Sequence, residues 1–502
     1  MFTIDIKQRY TLKTITTIIT SAQEIELSPA AQKQLVESRK VVEQVIKSDQ
    51  TVYGINTGFG KFSEQRISNE EIEELQRRIV LSHSAGTGDP IPDRVVKIMM
   101  LLKIISLVQG NSGVSPHLVD VLVEMFNKDV IPVVPAKGSV GASGDLAPLA
   151  HMTLPLIGEG ECIVNNKRMK SIEAFKLTGI ETVTLGAKDG LAFLNGTQTM
   201  AAYLCESLMQ AESLIKQADI VAGMTLEALT GTAKAFDHRI HELRHHSGQQ
   251  QVAANLRLLL KGSQRIDSRK QVQDAYSLRC IPQVHGSVRD TFAHCLSVLE
   301  NEINAVTDNP LVFIDGQDII SGGNFHGEPL ALIADFMGIA IAELANISER
   351  RIAHLVDPHV SNLPAFLVEK GGLNSGYMIA QYTAAALVSE NKVLAHPASV
   401  DSVPTSANKE DHVSMGTHAS RKLLEIVENS KQVLAIELLC AVQGIDLSNQ
   451  LKPSALNQQV HKIVRKQVAK WEIDRLMSTD MQTALNILSL GELLKIDGIT
   501  IV

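Results

Sequence analysis

The segment Gly138–His151, GSVGASGDLAPLAH, places three glycines within seven residues, and the last two flank the dipeptide Ala142-Ser143. Because Gly144 has no Cβ, its amide nitrogen can be pressed onto the carbonyl carbon of Ala142 in a geometry that other residues resist. The backbone could then close into a five-membered ring. Loss of water from the ring, and of the Ser143 hydroxyl as a second water, would leave an exocyclic methylene conjugated to the ring carbonyl. Ser143 would thereby become an electrophile, which no ordinary side chain supplies.

Two simpler interpretations compete for the same segment. Ser143 or Asp145 could cap the N-terminus of a helix that begins at LAPLAH. A dinucleotide-binding loop is disfavoured because the glycines are spaced GxxGxxG instead of GxGxxG. In addition, Pro132 and Pro135 would remove hydrogen-bond donors from the strand that should precede such a loop.

A second group of reactive residues lies in FDHRIHELRHHSG. His238, His241 and His245 are spaced i, i+3 and i+7, so they could share one helix face and bind zinc. The neighbouring Arg239 and Arg244, and the lack of an HExxH pattern, favour an exposed polar helix end. A metal-binding or structural protein therefore remains an alternative, although we expect no metal in the functional site.

Apolar periodicity predicts a mainly α fold, a bundle of long helices with a mixed, loop-rich N-terminal region and short β hairpins. The chain is 44% hydrophobic but only 4% aromatic, which agrees with a core of helix-on-helix packing. Long helical patterns occupy Val95–Asn127, Thr197–Ala233, Gln283–Val306, Glu328–His354, Tyr377–Leu394 and His418–Val442.

The sequence also predicts two β hairpins and one division of the chain into an N-terminal and a C-terminal region. CIVNNKRM should turn at Asn165-Asn166, and LVFIDGQDIIS should turn tightly at Asp315-Gly316 on the surface. QTVYGINT is a candidate extended segment. We predict an N-terminal mixed region over 1–195, and a long helical bundle with a C-terminal helical region over 196–502.

Charge and cysteine usage exclude several classes of protein. The net charge of −8, without a Lys/Arg run, gives no basic surface for nucleic acid or lipid headgroups. Five scattered cysteines with no CxxC pair indicate a reducing compartment, and the N-terminus lacks a signal-peptide pattern. LALIADFMGIAIAEL contains Asp335 and Glu343, which favours a buried helix over a membrane span. We therefore expect a cytoplasmic protein.

GSVGASGDLAPLAH resembles the segment that forms 4-methylideneimidazole-5-one (MIO) in the aromatic amino acid ammonia-lyase and aminomutase family. Six further blocks resemble that family in the same order. They are YGINTGFG at Tyr53–Gly60, LSHSAGTG at Leu81–Gly88, GLAFLNGTQ at Gly190–Gln198, VQDAYSLRC at Val272–Cys280, NFHGEP at Asn324–Pro329 and SVPTSANKEDHVSMG at Ser402–Gly416.

The resemblance implies a carbon–nitrogen lyase whose MIO group forms autocatalytically from Ala142, Ser143 and Gly144, with no dissociable cofactor. It also implies a homotetramer with a shared central bundle and with each site assembled from more than one chain. Ala-rich helices with little charge on any face agree with packing between chains.

By the same resemblance, Tyr53 removes the β-proton of the substrate, for which we expect its pKa to be lowered. Arg279 holds the substrate carboxylate with its planar fork. Tyr276 and Asn195 form hydrogen bonds around the MIO ring and the reacting amine. Gln273 is a polar neighbour, and Phe325 packs near the ring or the substrate.

Within the family, Ser82-His83 and Glu410 favour L-histidine as the substrate, because an imidazole needs polar partners in a closed pocket. The implied reaction releases ammonia and trans-urocanate, the first step of histidine degradation. The alternatives are a tyrosine or phenylalanine ammonia-lyase or aminomutase, and an inactive helical scaffold. Three features depart from the family pattern. Lys409 stands in place of the usual Gln, Lys103-Ile104-Ile105 replaces the common Arg-x-Asn pattern, and His285 stands where an apolar residue is typical.

Overall fold

The computed structural model describes residues 1–48, 51–58, 60–62, 64–269, 272–448 and 451–501. By internal contacts the chain divides into two compact units. Unit 1 comprises Met1–Glu206, Leu296–Asp335 and Pro397–Arg421, and unit 2 comprises Ser207–Cys295, Phe336–His396 and Lys422–Val502. The boundary predicted between residues 195 and 196 divides the sequence once, whereas each unit consists of three separate segments. That boundary stays a prediction.

Helices dominate both units, as the periodicity predicts. Those up to residue 194 lie in unit 1: α1 Leu12–Thr20, α2 Pro29–Lys47, α3 Ile72–His83, α4 Asp93–Leu107, α5 Pro116–Asn127, α6 Leu146–Thr153, α7 Ser171–Thr178 and α8 Asp189–Leu194. The later helices are α9 Gln198–Ala228, α10 His238–Glu242, α11 Ser247–Leu259, α12 Tyr276–Arg279, α13 Ile281–Ile303, α14 Glu328–Val356, α15 Pro358–Ser361, α16 Met378–Leu394, α17 Gly416–Leu447, α18 Ala455–Gln467 and α19 Met477–Ser489.

The strands of the described residues are short and lie in unit 1. They are β1 Phe2–Ile4, β2 Ile25–Leu27, β3 Thr87–Pro90, β4 Ile131–Pro132, β5 Pro135–Lys137, β6 Glu161–Val164, β7 Lys167–Lys170, β8 Leu311–Phe313 and β9 Asp318–Ile320. The parallel pair β1–β2, the antiparallel pairs β3–β5 and β8–β9, and the antiparallel sheet β4–β6–β7 are separate from one another.

Both predicted hairpins are confirmed. β6 and β7 turn at Asn165 and Asn166, whose positive φ values of 50° and 60° suit this residue type. The turn between β8 and β9 is looser than predicted, because the register pairs Phe313 with Asp318 and leaves four residues between them.

Two local predictions are wrong. The pattern over Val95–Asn127 is not one helix, because the chain turns between α4 and α5 through Gly110 and Gly113, at φ values of +76° and +66°. The described part of QTVYGINT, residues 51–57, forms turns instead of an extended segment. Extended pairing is limited to its end, where Thr57 forms an isolated antiparallel bridge with Arg66 and Asn56 O accepts the backbone N–H of Ile67.

A small apolar cluster in unit 1 supports the loop that carries Tyr53. Val42 and Val45 of α2 pack with Ile55, Ile72 and Val312. Ile55 is fully buried, two residues after Tyr53. The loop is therefore fixed by an apolar side chain on its inner face, and Val312 shows that β8 belongs to the core instead of being surface decoration.

Unit 2 has a buried ionic network among its long helices. His285 Nδ1 and Arg289 Nη2 each lie 2.7 Å from a carboxylate oxygen of Asp219. Arg351 donates to both carboxylate oxygens of Glu437, at 2.6 and 2.8 Å. Buried charges require such pairing, so the network restricts how these helices can pack.

Among the described residues, one helix is long and apolar enough by length and composition to cross a membrane. It is α14, and 61% of its most apolar window is buried inside the protein. A core helix of a soluble protein passes the same test, so this finding is weak evidence for a membrane span.

Ile55→Ala should destabilise unit 1, because it removes apolar contacts below the Tyr53 loop and leaves a cavity, at a cost of about 2–5 kcal/mol. Thermal unfolding followed by circular dichroism should give a lower midpoint for this variant and a smaller decrease for Ile55→Val. Val36→Ala, at a position on α2 that is 43% exposed, is the control. Equal midpoints for Ile55→Ala and Val36→Ala would contradict the role of the cluster.

Candidate active site

A cavity of about 800 Å³ in unit 1 collects six of the residues predicted from the sequence. They are Tyr53, Ser82, His83, Ser143, Asn195 and Glu410. Ala142 and Gly144 flank Ser143 in the chain, whereas Phe325 is half-buried and does not line this cavity. Residues more than 350 positions apart in the sequence thus meet at one place.

Each of these side chains lies at the end of a helix or in a loop beside one. Ser82 and His83 form the last turn of α3, and Asn195 directly follows α8. Ser143 lies three residues before α6. Tyr53 belongs to the loop after α2, in which Phe59 of YGINTGFG lies outside the described residues. The helices supply rigid supports, and the loops bring the reactive groups together.

The Ala142-Ser143-Gly144 segment is pressed against the link between α8 and α9. Gly144 has a φ of +74° and forms an isolated parallel bridge with Gly196. A Cβ at Gly144 would lie 2.2 Å from the carbonyl oxygen of Gly196, so no side chain fits there. The next residue, Asp145, donates its backbone N–H to that same oxygen at 2.8 Å. Glycine is required at 144 by both conformation and space.

The carboxylate of Asp145 does not cap α6, although this was one interpretation of the sequence. Instead it accepts hydrogen bonds from the backbone N–H groups of Thr199 and Met200 in the first turn of α9, at 2.9 and 3.0 Å. Thr417 Oγ1 donates to its second oxygen at 2.6 Å. Burial raises the pKa of Asp145 to about 6, against these hydrogen bonds, which lower it.

Glu410 faces Ser143 across the cavity. Its Oε1 accepts a hydrogen bond from Ser143 Oγ at 3.2 Å, and its Oε2 accepts one from Thr405 Oγ1 at 2.8 Å. Backbone hydrogen bonds in both directions between Thr405 and Glu410 fix the loop. Lys409 is exposed, so the two hydroxyl groups, and not the neighbouring ammonium, orient the Glu410 carboxylate.

His83 supplies the other polar group near Glu410. Burial lowers the pKa of His83, although the backbone of Ile79 and the charge of Glu410 partly oppose that shift. Its Nδ1 lies 3.1 Å from Ser82 Oγ. A neutral imidazole at this position can either donate or accept one hydrogen bond at its other nitrogen.

The expected lowering of the Tyr53 pKa is wrong for this chain. Burial raises the pKa of Tyr53, and the negative charges of Glu410 and Asp308 raise it further, whereas a hydrogen bond with the backbone of Gly60 lowers it. The phenolate is therefore disfavoured because it loses water and faces carboxylates.

The three remaining site residues form a separate group in unit 2. Arg279 Nη1 donates to Gln273 Oε1 at 2.5 Å, and the guanidinium lies 4.6 Å from the ring centroid of Tyr276. Tyr276 is 70% exposed. These residues hold one another in place on the surface of the single chain.

Lys103 and Thr405 contact the predicted site residues but were not identified as functional from the sequence. Lys103 Nζ donates to the backbone oxygen of Asn195 at 2.6 Å from the middle of α4. The sequence gives two signals for Lys103, a single cation within the apolar run IMMLLKIISL and a departure from the common family pattern at that position. Thr405 has no such signal, because its contact with Glu410 depends on the loop conformation.

The histidine-rich segment does not form the predicted helix face. α10 ends at Glu242, and His245 lies beyond it with a φ of +63°. Both ring nitrogens of His241 have neighbours at 3.0 Å, Ala235 O and Gln249 Nε2. Over the described ranges, no group of three or more His, Cys, Asp or Glu side chains is arranged to hold a metal ion.

Comparison with known proteins gives one consistent result. The family model "Aromatic amino acid lyase" matches residues 10–466. The chain is 51% identical to the histidine ammonia-lyase of Alkaliphilus oremlandii over 490 residues, 97% of each protein.

Two solved structures are also similar to this chain. The crystal structure of histidine ammonia-lyase from Trypanosoma cruzi matches with a TM-score of 0.92 and 42% identity, over 99% of this chain and 94% of that one. Tyrosine aminomutase from Streptomyces globisporus matches with a TM-score of 0.93 and 33% identity, over 98% of each chain. Because the family match covers most of its length, this chain belongs to the aromatic amino acid lyase family, as the seven sequence blocks predict.

Proposed function

We propose that this chain is a lyase that eliminates ammonia from L-histidine and releases trans-urocanate. The observation that carries this proposal is the position of Glu410, whose carboxylate lies 3.2 Å from the Ser143 hydroxyl inside one cavity. A carboxylate there can bind an imidazole N–H while the substrate amine lies over residue 143. The relatives named histidine ammonia-lyase, at about 50% identity over nearly the whole chain, support this substrate.

The residues present fit an MIO group at positions 142–144. Gly196 leaves no space for a side chain at Gly144, so the residue whose nitrogen would close the ring must be glycine. Ser143 lines the cavity, so its Cβ is accessible to a substrate. When formed, the group supplies an electrophilic methylene that accepts electron density as the C–N bond breaks.

The polar residues of the cavity have distinct proposed roles. Glu410, oriented by Thr405, binds the imidazole, and the neutral His83 beside it completes the polar end of the site. Asn195 donates to Asn309 O at 2.6 Å, which leaves its side-chain oxygen to accept from the reacting amine. Tyr53 takes the β-proton in its ionised form.

Gln273, Tyr276 and Arg279 are proposed to complete the site of another subunit in a homotetramer. Gln273 and Tyr276 are exposed in the single chain, and both contact the guanidinium of Arg279. These contacts support this role, because a preformed guanidinium can bind a carboxylate with two parallel hydrogen bonds. Phe325 is proposed to act in the same way, since it does not line the cavity of its own unit.

We also propose a cytoplasmic location. All five cysteines are free thiols, and four of them are buried. Reduced cysteines are typical of proteins from reducing compartments. Cell fractionation with an antibody against the protein tests this location directly.

Ser143→Ala should remove most lyase activity while the fold and oligomeric state persist, because alanine has no hydroxyl to lose and cannot become the electrophile. Urocanate absorbance during incubation with L-histidine measures the activity, and Ser68→Ala, at an exposed serine of unit 1, is the control. Full activity of Ser143→Ala would reject the MIO proposal. Turnover of L-tyrosine or L-phenylalanine instead of L-histidine by the unsubstituted protein would keep the family and reject the substrate.

The activity of the protein should increase with pH through the alkaline range. A base acts only when deprotonated, and the raised pKa of Tyr53 moves its ionisation to higher pH. Tyr53→Phe should abolish the increase in kcat/KM, whereas Tyr10→Phe, at another buried tyrosine with a raised pKa, should leave it unchanged. An increase that persists in Tyr53→Phe would assign the base to another residue.

Two inactive variants should restore activity to each other if sites are shared between subunits. Ser143→Ala and Arg279→Met, co-expressed with different affinity tags, should form mixed tetramers in which some sites have both residues intact. As a control, Ser143→Ala with Tyr53→Phe should recover nothing, because both residues belong to one cavity of one chain. Absence of recovery with Arg279→Met in isolated mixed tetramers would place Arg279 and Ser143 in sites formed by a single chain.

A further inference from the structure

Lys103 is a buried cation in an otherwise apolar stretch of α4. It is 1% exposed, and the α4 residues on either side of it, Leu102 and Ile104, are buried as well. Transfer of an ammonium from water to such a site is costly unless oxygen atoms replace its hydration shell. A methionine of similar length would fill the same space without that cost, so the contacts of the Lys103 ammonium are informative.

The ammonium of Lys103 is directed at the link between α8 and α9. Nζ donates to the backbone oxygen of Asn195 at 2.6 Å and to Gln198 Oε1 at 3.3 Å. Charge-assisted hydrogen bonds of this kind are shorter and stronger than neutral ones. The short link Asn195–Thr197 is thereby fixed at its first residue by a side chain that does not line the cavity.

This link contacts the cavity through two groups. The Asn195 side chain lines the cavity beside Ser143. The next residue, Gly196, lies against Gly144 and accepts the backbone N–H of Asp145 at 2.8 Å. A displacement of Asn195 would therefore move both the Asn195 amide and the Gly196 backbone against which Gly144 packs.

The charged residues near Lys103 are engaged with other partners. Lys188 pairs with Asp308 at 2.6 Å, and both are buried. Asp145 accepts three hydrogen bonds from Thr199, Met200 and Thr417. Burial lowers the pKa of Lys103 to about 7, opposed by the negative charges of Asp308 and Asp145 and reinforced by Lys188.

We infer that Lys103 is a positioning residue, which holds the Asn195–Gly196 backbone so that Gly144 is compressed and the Asn195 amide faces the site. The inference rests on the proposed function, because it concerns conversion of residues 142–144 to the MIO group. Lys103 does not touch the reacting atoms. It acts through the Asn195 carbonyl. Loss of Lys103 should therefore reduce formation of the MIO group more than it weakens substrate binding.

The test measures formation of the group directly. Unsubstituted protein, Lys103→Met and Lys103→Arg are digested, and the mass of the peptide that contains residues 138–151 is compared with that of the unmodified sequence. Loss of two water molecules marks the mature group. Lys97→Met is the matched control, because Lys97 lies on the same helix and contacts Asp129 and the Phe126 ring instead.

The mature fraction in Lys103→Met is expected to fall at least tenfold, with a comparable decrease in kcat and little change in KM. Lys97→Met should match the unsubstituted protein, and Lys103→Arg should recover most of the mature fraction, because it retains the charge and the donors. Full maturation of Lys103→Met, or equal losses in the Met and Arg variants, would overturn the inference.

If Lys103→Met is insoluble, Lys103→Gln carries the test. Its amide is polar but shorter by one bond, so it cannot reach the Asn195 oxygen at hydrogen-bond distance, and the same decrease in mature fraction is expected. Normal maturation of that variant would reject the role. A mature wild-type peptide without histidine turnover would reject only the proposed substrate, and an unmodified wild-type peptide would reject both proposals.

Discussion

The close approach of Gly144 to Gly196 is the constraint on which the site depends. A Cβ on residue 144 would lie 2.2 Å from the carbonyl oxygen of Gly196, so only glycine fits at position 144. Such close packing persists only if the surrounding structure holds both backbone segments in place. Elements of unit 1 hold both segments. Lys103 of α4 binds the carbonyl oxygen of Asn195, directly before Gly196. The first turn of α9 binds the carboxylate of Asp145, directly after Gly144.

Asp145 connects the two sides of this contact. Its backbone N–H binds the Gly196 oxygen, and its carboxylate satisfies two N–H groups at the positive end of α9 and the hydroxyl of Thr417. One residue therefore joins the segment 142–144 to α9 and α17. On the other side of the cavity, the loop that carries Tyr53 is held by the buried side chain of Ile55 and by the hydrogen bond from Ile67 N–H to Asn56 O at 2.9 Å.

The sequence was sufficient to predict features that depend on local pattern. The Asn165-Asn166 turn requires positive φ values that asparagine tolerates, and the long helices follow from apolar residues at helical spacing. The motif blocks also identified six of the residues that line the cavity. Features decided by distant contacts were not predictable. The Asp145 carboxylate caps α9 instead of α6, and Lys103 is buried against Asn195. Burial, and then nearby carboxylates, raise the pKa of Tyr53, although its proposed role favours a lower one.

A crystal structure of the protein with bound trans-urocanate would test the central claim most directly. Continuous density for a closed ring is expected at residues 142–144, with an imidazole nitrogen of the product within hydrogen-bond distance of Glu410. Arg279 of another subunit should lie at the product carboxylate. An open backbone at 142–144, or product bound outside the cavity that contains Ser143 and Glu410, would contradict the proposed site.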